Sequence, residues 1–81
     1  MMCTTVDDLV LRYIAREYAP RRFASKLLAK DAGTSHRTAE RWLAKKAAPS
    51  GPHLTNMLVE CDGLADELYR MIEQRRAAKG K

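Results

Sequence analysis

The chain has 81 residues, with 15 Lys and Arg against 10 Asp and Glu, a net charge of +5. A chain this short makes one small domain that buries only about 60% of its unfolded surface, which leaves little room for a deep catalytic cleft. No apolar run approaches the roughly 20 residues needed to cross a bilayer. Residues 1–8 lack the basic flank and apolar block of a secretion signal.

In chain order, a first helix is expected over residues 5–18. Thr4 or Thr5 can cap it, and Asp7 and Asp8 suit the positive end of its dipole. Val6, Leu9, Val10, Tyr13 and Ile14 recur at the spacing of one apolar face. Pro20 ends this helix or opens the next. A second helix is expected over residues 21–31, with Phe23, Ala24, Leu27 and Leu28 as its buried stripe. Gly33 stands where the chain must reverse, because glycine reaches positive φ cheaply. Ser35 then caps a third helix over residues 36–46. That helix turns Thr38, Ala39 and Trp42 inward and His36, Arg37, Glu40 and Arg41 outward. Trp42 could stack on a base in a single-strand binder, but its spacing favours the inner face.

Residues 49–52, Pro-Ser-Gly-Pro, are dense in turn signals. A fourth helix over residues 53–61 brings Leu54, Met57, Leu58 and Cys61 together, and Asp62 and Gly63 break it. A fifth, over residues 64–76, places Leu64, Leu68, Met71 and Ile72 on one side, and residues 76–81 form a frayed basic tail. Nothing alternates apolar and polar residues as a strand would. The expected fold is all-α: one domain over residues 1–81, a compact bundle of about five short helices. Cys3 and Cys61 make no disulfide framework; both are expected to be reduced and the protein cytoplasmic.

The charge is unevenly placed. Residues 21–46 carry eight Lys or Arg against Asp31 and Glu40, whereas the flanking segments are close to neutral. So concentrated a patch attracts a polyanion. Two short helices joined at Gly33, with charged side chains on the outer face of the second, are how a helix-turn-helix presents residues to the major groove. Ser25, Lys26, Lys45 and Lys46 are candidate phosphate contacts, and Thr34 and Ser35 can offer hydroxyl and N–H groups to a phosphate at the helix start. Arg37 and Arg41, one turn apart, can each take a guanine edge. Glu40 either accepts from a cytosine amine or orients a neighbouring arginine. His36 either contacts DNA or is an inert first-turn residue. His53, in the proline loop, is structural or simply exposed.

Residues 23–68 resemble the lambda-repressor-like DNA-binding domains of phage Cro and repressor proteins. The resemblance rests on Leu28-Ala29, Gly33, the capping Ser35, Thr38-Ala39 inside the reading helix and Trp42 closing it. Pro49 and the leucines Leu54 and Leu58 follow as the family's loop and fourth helix do. Ala39 replaces a branched residue more usual there, Lys45 and Lys46 stand where a glycine often ends the helix, and Gly51-Pro52 stiffen the next loop. The resemblance implies base reading by His36, Arg37 and Arg41 and phosphate contact by Ser25 and Lys46 in particular.

The expected function is sequence-specific binding of double-stranded DNA by a small transcriptional regulator, a repressor of phage or mobile-element type. Useful specificity from so small a reader calls for a homodimer. Leu64, Leu68, Met71 and Ile72 either finish the core or face the second copy. Two alternatives keep the fold: a protein-interaction module such as an antiactivator or antitoxin, and an excisionase-like architectural protein. No phosphate loop, nucleophile elbow, carboxylate pair or zinc-ligand spacing marks an enzyme, and neither cofactor nor small-molecule ligand is expected.

Overall fold

The computed structural model describes residues 5–80; Cys3 and Thr4 lie outside them. Among the described residues the chain is all-α, with helices α1 (Val6–Glu17), α2 (Ala24–Ala32), α3 (His36–Leu43), α4 (Gly51–Glu60) and α5 (Asp62–Lys79). None of them is long and apolar enough to cross a membrane.

α1 starts as expected. Thr5 caps it by accepting from Asp8 N–H at 3.1 Å, and Leu9, Val10, Tyr13 and Ile14 are its buried face. Chain reversal after α1 differs from expectation. Tyr18 and Ala19 both donate to the Ile14 carbonyl, and Arg21 donates to Tyr18. This hydrogen-bonded turn around Pro20 delays α2 to Ala24, three residues past the expected start. Phe23 then sits in the left-handed region (φ 59°, ψ 38°) and is 63% exposed. The expected stripe of Phe23, Ala24, Leu27 and Leu28 is therefore corrected. Leu28, Ala29 and Ala32 are buried, Ala24 is half-buried, and Phe23 and Leu27 face outward.

The C-terminus of α2 is closed by a Schellman arrangement, in which Thr34 N–H bonds Ala29 C=O at 2.9 Å and Gly33 N–H bonds Lys30 C=O at 3.3 Å. It requires the left-handed Gly33 (φ 68°). The Ala32 carbonyl accepts from Asn56 Nδ2 at 3.0 Å and from His53 Nδ1 at 3.2 Å, so α4 is fastened to the end of α2. A carbonyl can only accept, so this bond places a proton on Nδ1 of His53. The ring also lies 5.7 Å from Trp42. His53 is thus a structural residue.

α3 is shorter than expected, ending at Leu43 rather than near Lys46. Lys45 (φ 61°) occupies the position a glycine would take in a second Schellman closure: Lys46 N–H bonds Arg41 C=O at 2.9 Å and Lys45 N–H bonds Trp42 C=O at 3.0 Å. α4 begins at Gly51, two residues early, because Pro52 fits a first turn. Asp62 and Gly63 do not break the chain. Cys61 alone is extended between α4 and α5 (φ −117°, ψ 92°), and α5 continues through Lys79.

The core runs from α1 (Val10, Ile14) through α2 and α3 (Leu28, Ala39, Trp42) to α4 and α5 (Met57, Leu64). Tyr18 ties three parts of it together. Its hydroxyl donates to Asp31 Oδ2 at 2.6 Å and lies 3.1 Å from Cys61 Sγ, a free thiol. Burial, then the hydrogen bond to Asp31, pushes the Tyr18 phenol well above its ordinary range. Burial likewise pushes Tyr13 up to about 12, with help from Cys61. On the surface Arg16 forms ion pairs with Glu67 of α5 and with Glu17, which raises the Arg16 pKa.

Candidate nucleic-acid interface

The candidate surface is the corner where α2 and α3 meet. Three residues, Gly33, Thr34 and Ser35, join the two helices. Ser35 accepts from Thr38 N–H at 3.2 Å and its hydroxyl donates to Thr38 Oγ1 at 3.0 Å, which fixes the first turn of α3. Ala39 (0% exposed) and Trp42 (3%) anchor the inner face of that helix, and Thr38 is half-buried beside them. With one side held in the core, the other has to point away from it.

That outer side carries His36, Arg37, Glu40 and Arg41, all exposed. The side chains of Arg37 and Arg41 make no hydrogen bond or ion pair with any described residue, so both guanidinium groups keep their five donors open. Glu40 does not orient either arginine; its Oε1 lies 3.9 Å from His36 Nδ1. His36 Nε2 in turn hydrogen-bonds Ser25 Oγ near the start of α2. The Ser25–His36 bond therefore links the opening turns of the two helices.

Ser25 and Thr34 are half-buried, while Lys26, Ser35, Lys45 and Lys46 are exposed. Lys45 and Lys46 lie just past the C-terminus of α3, and Ser25 and Lys26 lie in the first turn of α2. The expected phosphate contacts thus flank α3 at both ends. Leu64 and Met71 of the α5 stripe are buried, Leu68 is half-buried and Ile72 is 37% exposed.

One group was not singled out in the sequence. Arg22 and Lys26 each lie over the Phe23 ring, at 5.6 Å and 5.5 Å from its centroid. The adjacent Arg21-Arg22 pair was its visible signal, but Phe23 read as core. The exposed ring holds two cations beside Ser25, at the start of a helix whose first N–H groups receive no side-chain cap.

Among the described residues no three His, Cys, Asp or Glu side chains gather as a metal site. A cleft of about 260 Å³ lies between α1 and α5, lined by residues that include Arg12, Arg16, Glu67 and Arg70; neither α2 nor α3 contributes to it. No family model, no curated protein and no solved structure matches the chain.

Proposed function

We propose that the α2–α3 corner is a helix-turn-helix that binds double-stranded DNA, and that α3 reads the major groove. The observation that carries this is the outer face of α3: two unpaired arginines one turn apart, on a helix locked from behind by Ala39 and Trp42. An α-helix with its side chains is about 10–12 Å across, and the major groove of B-DNA is about 12 Å wide. Arg37 and Arg41 would each take the O6 and N7 of a guanine, a contact worth roughly 1–3 kcal/mol of discrimination. His36, its Nε2 held by Ser25, would meet the groove's edge through Nδ1.

Phosphates would be met from both ends of the corner. Thr34 and Ser35 offer a hydroxyl and N–H groups where α3 begins, Ser25 and Lys26 where α2 begins, and Lys45 and Lys46 beyond the end of α3. These contacts set register and supply the salt-dependent part of affinity, whereas base contacts supply preference. Occupancy of a promoter is the simplest consequence of such binding, which makes a small repressor the favoured role.

Charge reversal at the two arginines tests the reading. Arg37→Glu with Arg41→Glu should abolish duplex binding while leaving the helical circular dichroism and melting temperature near wild type, because both side chains are exposed and unpaired. A double variant that still binds its selected duplex as wild type does would remove α3 from the interface.

A further inference from the structure

One helix carries a face that the core does not use. α5 spans 18 residues, about 27 Å. It turns Leu64 and Met71 into the core, and every residue from 72 to 80 is exposed. At about 100° per residue, Asp62, Ala65, Tyr69, Ile72, Arg76 and Lys79 fall on one stripe. That stripe lies about a third of a turn from the line of Leu64 and Met71. Its steps alternate three and four residues, the spacing of a helix–helix seam. Its centre is apolar and open: Tyr69 is 62% exposed and Ile72 37%.

The ends of the stripe carry opposite charge, acidic at Asp62 and basic at Arg76 and Lys79, and this selects what can cover it. Laid antiparallel on a second copy, Tyr69 meets the partner's Ile72, Ala65 meets the partner's Arg76, and Asp62 meets the partner's Lys79. Each pair occurs twice, as a two-fold axis demands. The two central layers are aromatic on aliphatic. The Arg76 guanidinium lies over a small residue, within reach of the other copy's Asp62 and Asp66. Asp66 and Glu73 approach on one flank, where Arg76, 3.6 Å from Glu73 in its own chain, offsets their charge. A parallel pair would instead set Asp62 on Asp62 and Lys79 on Lys79, which like-charge repulsion disfavours.

We propose that α5 is a self-association surface and that two copies pair antiparallel along this stripe. So short a seam belongs to the small, weak class of interfaces. It would gain strength when two copies are held side by side on adjacent sites. The proposal stands independently of the reading of α3.

Sedimentation equilibrium in low salt, from micromolar to near-millimolar protein, tests it with four chains. Wild type should form a dimer. Tyr69→Arg should weaken the association about tenfold or more, because an unpaired charge replaces the central ring. Asp62→Lys should weaken it similarly by facing Lys79, and Asp62→Lys combined with Lys79→Asp should restore it. All the substituted side chains are exposed, so circular dichroism should show the helices intact. A wild-type chain that stays monomeric at near-millimolar concentration would overturn the proposal. So would a Tyr69→Arg dimer as tight as wild type. A double variant no tighter than Asp62→Lys alone would overturn the antiparallel register.

Discussion

Gly33 meets two demands at once. Its φ of 68° suits a residue without a Cβ, and a Cβ built there would stand 2.8 Å from Asn56 Nδ2. Asn56 cannot simply retreat, because that nitrogen satisfies the Ala32 carbonyl. Gly33→Ala should therefore cost about 1–2 kcal/mol from the left-handed backbone alone, with a further loss from displacing Asn56. Thermal denaturation should show a melting temperature lower by several degrees; an unchanged value would mean the turn is free to re-form. Gly33 was legible in the sequence because only glycine adopts this conformation readily. Phe23 and Lys45 were not, although both are also left-handed. Nothing in a phenylalanine or a lysine announces positive φ; the fixed lengths of the connections around them impose it. The same blindness put Phe23 in the core.

The helices themselves were readable because each is amphipathic and most ends carry a signal: Thr5 and Ser35 as caps, Gly33 as a stop, Pro52 in a first turn. Their ends were less readable where a contact decided them. α2 starts late because the turn after Tyr18 consumes residues 19–23, and α5 starts early because Cys61 alone suffices to redirect the chain. What joins the elements was not readable at all. The Tyr18 hydroxyl reaches Asp31 and Cys61, partners 13 and 43 residues away, and no local pattern foretells such pairing. The link has a consequence at high pH. An unfolded tyrosine loses its proton near about 10, whereas folded Tyr13 keeps its proton up to about 12 and Tyr18 is also shifted upward. Between these values the folded state binds more protons than the unfolded one, so stability falls as pH rises. The contribution is whole below pH of about 10 and is lost as pH climbs through the folded values. Melting temperatures should fall across this alkaline window, and Tyr13→Phe should flatten part of that fall. A variant with the same alkaline slope as wild type would contradict the burial argument.

Across the whole molecule, charge is sorted by element. The segment holding α2 and α3 bears the entire excess of positive charge, and α5 divides its own charges between an acidic start and a basic end. The outward charged face of α3 was readable because Ala39 and Trp42 mark its opposite side. The Ser25–His36 bond and the cations around Phe23 emerged only once the helices were packed. If α3 is the reader, attraction to a duplex must be electrostatic first, and its salt dependence counts the phosphates engaged. The most direct measurement is therefore duplex affinity against salt concentration for wild type and for Lys45→Ala with Lys46→Ala. Wild-type affinity should fall steeply and linearly on logarithmic axes. The double variant should be weaker on every duplex, with a slope shallower by about 2. No attraction to any duplex in dilute buffer, or an affinity indifferent to salt, would contradict the account.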